Sequence, residues 1–323
     1  MNSRERFLET MRFGNPDRVP YFQEGIREEV LREWGRQGLR SAAELSELFP
    51  IDEREELEID GYPHPGFLRW PTSVSGLGGL RRRLKPSERR LPGGWRKKAA
   101  LWRDPRQVLM LEVHHGFFLS MGVNDWKRFT EVMEALSDKP EYVLEVMRIE
   151  AGMVASLAEQ FLSEVQVDAA IFSEPIGGNN GSLISPRMYE RFVLASYIPV
   201  LEVLKRHSVE VIIVRTYANA RVLIPSMLKF GINCLWACET NAQAMDYRSI
   251  RAEFGRDLRL IGGIDLDVLR EDREAIRREV EEKVPPLVEQ GGYVPLADGR
   301  VRADIPFMNY IYYRELLEKV TRQ

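Results

Sequence analysis

The second half of this chain alternates in a way that leaves few folds open. Short apolar runs rich in β-branched residues recur between longer segments of helical period. The strand Val167 to Ser173 leads to a helix from Pro186 to His207, and Val209 to Val214 leads to a helix from Arg221 to Phe230. Gly231 to Trp236 precedes a helix near Met245 to Phe254, and Leu258 to Asp265 is strand and turn before a helix from about Asp272 to Glu289. Gly292 to Leu296 is a last short strand before the closing helix, Ile305 to Val320. Strands that alternate with helices pair in parallel, because a helical crossover returns the chain to the same end of the sheet. With the amino-terminal strands the count approaches about eight, the number in a closed barrel. No Gly-x-Gly-x-x-Gly loop follows a strand, and Gly76-Leu77-Gly78-Gly79 lies in an irregular region, which disfavours an open dinucleotide-binding sheet. The expected fold is α/β, a (β/α)8 TIM barrel built as one domain over residues 1–323, with a β-rich or irregular insertion near residues 50–104.

Ahead of that rhythm, Ser3 to Phe13 reads as an amphipathic helix carrying Phe7, Leu8 and Met11, stopped by Gly14-Asn15-Pro16. Asp17 to Phe22 enters a first short strand, and helices follow at Ile26 to Gly38 and Ala42 to Phe49. Residues 50–104 lose the helical period. Within them Arg81, Arg82, Arg83, Lys85, Arg89, Arg90, Arg96, Lys97 and Lys98 stand against one acid, Glu88. This run reads either as a surface for an anionic substrate or partner, or as a solvated face balanced by Asp52, Glu53, Glu55, Glu56 and Glu58. Charge runs are usually solvated, so the second reading is expected. Val108 to Val113 is a strand ending in His114-His115-Gly116-Phe117-Phe118, and helices follow at Asp125 to Leu136 and Pro140 to Phe161.

At 323 residues and 44% hydrophobic composition the chain can bury a large core. A formal charge of −3 gives no general attraction to nucleic acid or an acidic membrane. No apolar run nears the roughly 20 residues that span a bilayer, and the amino terminus has no apolar signal core. The only cysteines, Cys234 and Cys238, exclude a disulfide framework and favour a reducing compartment. A soluble, cytoplasmic protein with neither nucleic acid nor membrane as partner is expected.

In a barrel, chemistry is built at the carboxyl ends of the strands. There an apolar run ends in Glu174, a loop with Gly177, Gly178, Asn179, Asn180 and Gly181 follows, and Ser185-Pro186 opens a helix. The catalytic candidates are Glu174, Tyr217 and Asp298, as groups able to exchange a proton. The substrate-binding candidates are His114, His115, Phe117, Asn180, Arg215, Asn219, Glu239, Asp265 and Arg300. Arg215 and Arg300 suit a carboxylate clamp, and the alternative is that they neutralise Glu174, Glu239 and Asp298. Neighbouring residues on a strand face opposite ways, so only one of His114 and His115 is expected to point into a site. Cys234 and Cys238 share one segment and no His-x-Cys pair exists, so no metal or other cofactor is expected. The absence of Gly-x-Ser-x-Gly removes a serine triad of that type.

Several motifs resemble the uroporphyrinogen decarboxylase superfamily. They are Ser3-Arg4-Glu5-Arg6-Phe7, Asn15-Pro16-Asp17-Arg18-Val19-Pro20, Leu183 to Leu194, Leu260-Ile261-Gly262-Gly263-Ile264-Asp265 and Gly291-Gly292-Tyr293-Val294-Pro295. The superfamily holds the porphyrinogen decarboxylase and zinc-dependent methyltransferases that serve corrinoid proteins and coenzyme M. The resemblance implies a (β/α)8 barrel, an enzyme acting on a small anionic substrate, and a homodimer. The family's methyltransferases carry His-x-Cys-Gly after the strand matching Val211 to Val214 and a further zinc-binding Cys near the last strand. Here Arg215-Thr216-Tyr217-Ala218 and Leu296-Ala297-Asp298-Gly299 stand in those places, so zinc lacks its usual ligands. The decarboxylases carry Arg-Gln-Ala-Gly-Arg after the first strand and His-Gly in the last loop. Here Gln23-Glu24-Gly25-Ile26-Arg27 keeps only Arg27, which joins the substrate-binding candidates, and Asp298-Gly299 replaces the pair. The expectation is a metal-independent, decarboxylase-like lyase outside the heme pathway. The alternatives are a methyltransferase or demethylase component partnered by a corrinoid protein, and a ligand-binding barrel without catalysis.

Overall fold

The computed structural model describes residues 1–103, 106–240 and 243–322. Asp104, at the end of the expected insertion, lies outside the described residues. In chain order the strands are β1 (Arg54–Glu58), β2 (Val108–His114), β3 (Ala169–Glu174), β4 (Gly177–Gly178), β5 (Gly181–Ser182), β6 (Val211–Tyr217), β7 (Cys234–Cys238), β8 (Arg259–Ile264) and β9 (Tyr293–Ala297). Five helices matter below: α1 (Ser3–Met11), α2 (Pro140–Leu162), α3 (Ala195–Arg206), α4 (Arg273–Gln290) and α5 (Phe307–Thr321). By its internal contacts the chain divides into two compact units. One comprises Met1–Arg54, Arg106–Val108 and Cys234–Gln323, the other Glu55–Pro105 and Leu109–Asn233.

In the second of these units the sheet runs β1-β2-β3-β6. β2 and β6 both pair in parallel with β3, with Ala169 opposite Met110 and Val211, and Glu174 opposite Thr216. Five of the six β3 residues are buried, the pattern of a parallel strand covered on both faces. α2 starts on Pro140 at its first turn, where a missing N–H costs nothing, and packs against α3. Its buried stripe includes Val143, Met147, Glu150 and Val154, so a carboxylate stands in an otherwise apolar row. Before α3 the Ser185 hydroxyl accepts the Met188 N–H at 3.2 Å, and a π-helical turn, Tyr189–Leu194, follows.

The first unit holds β7, β8 and β9, parallel in that order, with α4 packed on α5. Asn2 and Glu5 form a capping box that opens α1. The entry of the chain is fixed by Asp52, 2% exposed, which bonds the Arg6 guanidinium, Arg18 Nη1 at 2.5 Å and the Tyr21 N–H at 2.8 Å.

The α/β class and the parallel order are as expected, but the strand inventory differs. Among the described residues seven strands enter these two runs, not eight, and no closed barrel is formed by either run. Asp17 to Phe22 is not a strand: Pro20 has no N–H, and Tyr21 spends its N–H on the Asp52 carboxylate and its carbonyl on the Asp52 N–H at 2.9 Å. The strand hidden from the sequence is β1, inside the expected insertion. Only Leu57 of its residues is buried, and two of its three acids are paired: Glu55 with Trp102 at 3.0 Å and Lys98 at 3.3 Å, Glu56 with Arg215 at 2.7 Å. The rest of that region forms short helical turns such as Gly78–Arg83 and Trp95–Lys98, the irregular rather than the β-rich form of the expected insertion. Nor is its basic run uniformly solvated. Arg90 is buried and donates to the carbonyls of Asp60 at 2.9 Å and Tyr62 at 2.6 Å, while Arg81 pairs with Glu145 and Arg96 with Glu88.

Removing one partner of a buried ion pair leaves the other uncompensated. Asp52→Ala is therefore expected to cost about 3–5 kcal/mol, read as a lower urea midpoint at unchanged slope. A loss below about 1 kcal/mol, the range of exposed pairs, would show that Arg6 and Arg18 find water instead.

Candidate functional site

Within the unit that holds β2, β3 and β6, five polar side chains meet in the interior. Glu174 ends β3 and is 0% exposed. The Tyr197 hydroxyl, from α3, donates to Glu174 Oε2, and the Phe117 N–H donates to Oε1 at 2.9 Å. That N–H is aimed by the turn after β2. Gly116 sits at φ +110°, and a Cβ there would lie 2.6 Å from Pro175 Cδ. The Tyr197 oxygen is also 3.2 Å from His114 Nδ1, which accepts the Gly116 N–H at 2.9 Å. This bond places the imidazole proton on Nε2, which faces Glu150 Oε1 at 3.8 Å. His115 Nε2 lies 3.5 Å from the same oxygen. Both imidazoles thus address one carboxylate, against the expected alternation. β2 is irregular between Glu112 and His114, and the strand ends at His114, so the period of two no longer governs His115.

Burial sets the proton affinities. It pushes the Glu150 carboxyl up to about 8, held back by the Ser120 hydroxyl, and Glu174 up to about 7, held back by the bonds from Tyr197 and Phe117. The same desolvation lowers His115 to about 4 and His114 well below its usual range, and it raises the phenols of Tyr197 and Tyr189. Among the described residues Glu150 Oε1, Tyr189 Oη and Thr216 Oγ1 are buried without a hydrogen-bond partner. The set is two neutral imidazoles and two acids that titrate near neutrality, linked through one phenol.

Arg215 and Tyr217 lie elsewhere. Glu174 pairs with Thr216 and Ser173 with Arg215, so Glu174 faces α2 and α3 while Arg215 stands on the opposite face of the sheet. There the Arg215 guanidinium pairs with Glu56 and Glu112, and burial together with Glu58 and Glu56 pushes the Glu112 carboxyl up. Arg215 is thus neutralised, though by acids other than those named from the sequence. Asn180 is exposed in the β4–β5 turn, and Asn219 Oδ1 accepts the Arg221 N–H at 3.2 Å.

The remaining candidates belong to the unit that holds β7, β8 and β9. Both Asp298 oxygens are engaged, Oδ2 by the Thr240 N–H and hydroxyl, each at 2.7 Å, and Oδ1 by the Leu266 N–H at 3.0 Å. Asp298 thereby pins two loops. Asp265 accepts the Asp267 N–H at 2.9 Å as a helix cap. Glu239 and Arg300 are exposed, and Arg27 is exposed beside Glu29 at 3.6 Å.

Glu150, Tyr189 and Tyr197 were not singled out from the sequence because they ride on helices. Glu150 left a trace there, a carboxylate among apolar residues at helical spacing. Among the described residues no three His, Cys, Asp or Glu side chains are placed to hold a metal ion. Cys234 is buried and its thiol pushed up to about 12, Arg215 occupies the position of a zinc ligand with its charge already paired, and His114 turns an N–H toward Glu150. These residues do not fit the zinc of the family's methyltransferases.

A sequence model of the uroporphyrinogen decarboxylase (URO-D) family matches residues 120–295, more than half of the chain. The chain belongs to the URO-D family. The match includes Glu150, Glu174, Tyr189 and Tyr197, while His114 and His115 lie just before it. Among solved structures, a methyltransferase from Methanosarcina mazei is 14% identical, with 99% of each chain covered and a TM-score of 0.61. At that identity it shows a shared fold. A uronate isomerase from Bacillus halodurans C-125 is 11% identical at a TM-score of 0.40, covering 91% of this chain and 63% of its own. No curated protein sequence matches the chain. Among the described residues no helix is long and apolar enough to cross a membrane. In this URO-D chain the buried cluster lies on the helix side of the sheet.

The cluster sets a pH dependence. Acids whose pKa rises on folding bind more protons folded than unfolded, so they favour the native state below their usual 4.5 and cease to do so as pH climbs through about 7 and about 8. The imidazoles act oppositely, and only below their usual 6.5. Between pH 6.5 and 8 stability should therefore fall with rising pH on account of Glu174 and Glu150. Glu150→Gln, which keeps the neutral shape, should shrink that fall in urea unfolding at the two pH values. An undiminished fall in the variant would remove Glu150 from the account.

Proposed function

We propose that this URO-D chain is a metal-independent carbon–carbon lyase acting on a small carboxylate-bearing substrate, with Glu174, Tyr197 and His114 moving the proton. The observation that carries the reading is the buried Glu174–Tyr197–His114 set. The phenol has one proton and lies within reach of two acceptors. When Glu174 is neutral its own O–H can donate to the phenol oxygen, and the phenol proton then turns toward His114 Nδ1, sharing that lone pair with the Gly116 N–H. In a decarboxylation the C–CO₂ bond breaks, CO₂ leaves, and the electron pair left on carbon takes a proton. An acid that titrates near neutral pH is suited to deliver it, and Glu174, at about 7, is one. Tyr217, on the opposite sheet face, and Asp298, with both oxygens engaged, are left out of this step.

The test is a panel of mono- and polycarboxylates, porphyrinogens included, assayed for CO₂ release with and without a chelator. Turnover should survive chelation, decline as pH rises above about 7, and fall about 10²–10⁴-fold in Glu174→Gln. Release that needs added metal would overturn the reading. So would methylation of a cob(I)alamin protein without CO₂, which belongs to a corrinoid methyltransferase. Binding without turnover across the panel would leave a protein that holds a ligand and does no chemistry.

A further inference from the structure

The geometry points to His115 as the proton port of this cluster, passing protons between solvent at Tyr62 and Glu150 Oε1. The assignment rests on the lyase reading for its purpose but not for its test.

The structure makes Glu150 a relay rather than a structural anchor. Oε1 is buried without a hydrogen-bond partner among the described residues, a cost a merely structural carboxylate would not carry, as Asp298 with its three donors illustrates. Two imidazole nitrogens face that one oxygen, His115 Nε2 at 3.5 Å and His114 Nε2 at 3.8 Å. Exposure is low throughout the interior members, 0% to 5% at Glu174, Tyr197, Glu150 and His114, and highest at His115, 8%, and at Tyr62, 40%. His115 is the member stacked on an exposed side chain, the Tyr62 ring at 4.2 Å and 26°. The cover is thin: a Cβ on Gly61 would lie 2.6 Å from His115 Cε1 and 3.3 Å from Glu150 Oε1, so bare backbone seals the ring. Tyr62 also lines an open cleft of about 870 Å³ with Phe67, Trp70 and Leu119.

The charged and titratable groups around the port are few. Asp60 acts on His115 and is itself bonded to His64 at 2.5 Å and to the Tyr62 N–H at 3.0 Å. Glu174 acts on Glu150 from β3, Tyr197 is coupled to it from α3, and Glu58 and Glu112 act on Tyr62. Desolvation keeps the ring neutral, so it relays without storing charge. One ring nitrogen gains a proton from water, the Nε2–H bond breaks as an O–H bond forms on Glu150, and the ring is neutral again.

The test needs no substrate. After a pH jump from 9 to 6, the carbonyl stretch of the protonated buried carboxyls is followed by rapid-mixing infrared spectroscopy. Glu150→Gln should delete one band. His115→Phe, which keeps the stack on Tyr62 and removes both nitrogens, should slow the appearance of that band by about tenfold or more. Tyr62→Ala, on an exposed segment, should speed it, and decides the matter if His115→Phe does not fold. Unchanged rates in the variants that fold, or a full set of bands in Glu150→Gln, overturn the assignment. Because no turnover is measured, a failed lyase assay and a failed port give separate results.

Discussion

A carboxylate withdrawn from water must be hydrogen-bonded, ion-paired or protonated, and the way this chain meets that demand organises both of its units. Six acids are buried among the described residues: Glu24, Asp52, Glu150, Asp168, Glu174 and Asp298. Asp52 is closed by two guanidinium groups and a backbone N–H. Glu24 takes the hydroxyls of Tyr310 and Tyr313 and the Ala297 N–H, with Arg314 at 3.7 Å. Asp168 takes the Leu109 N–H, and Asp298 the donors of two loops. Each of these four ties together segments distant in sequence. Glu150 differs, since its Oε1 has no hydrogen-bond partner among the described residues and no cation is paired with it. Protonation is its remaining way to satisfy the constraint.

The two-residue period of a strand decides what those acids can meet. Because Glu174 is opposite Thr216, it is excluded from the face that carries Arg215. It turns instead toward α2 and α3, where its partners are the Tyr197 hydroxyl and the Phe117 N–H rather than arginines. On the other face Arg215 reaches Glu112 and Glu56 past Ser173, a side chain too small to obstruct it. One strand end thus supplies two unlike environments, an ion-paired one and a neutral, proton-sharing one.

Much of this was legible in the sequence, and the losses have physical causes. The alternation of strand and helix from Val167 onward gave the parallel order, since it depends on local periodicity alone. The strand at 54–58 was not legible because its residues are charged. Its place is set by Lys98, Trp102 and Arg215, contacts far away along the chain. The expected strand at 17–22 was lost for the converse reason, its backbone groups being taken by a single aspartate side chain. At the site, Glu174 and the two histidines could be found by asking which polar residues end apolar strands. Tyr197 and Glu150 could not, because that question passes over helices, and pairing across a helix–sheet packing leaves no spacing in the sequence.

The same reasoning bears on why a metal would be out of place in this cluster. With both carboxyls protonated and both imidazoles neutral the group carries no net charge, so its burial costs little beyond satisfying its hydrogen bonds. A divalent ion would need deprotonated acids and free imidazole nitrogens, whereas His114 already spends Nδ1 on the Gly116 N–H and presents a proton at Nε2. One backbone bond thus fixes the tautomer, and it does so through a glycine whose left-handed geometry no other residue would readily supply.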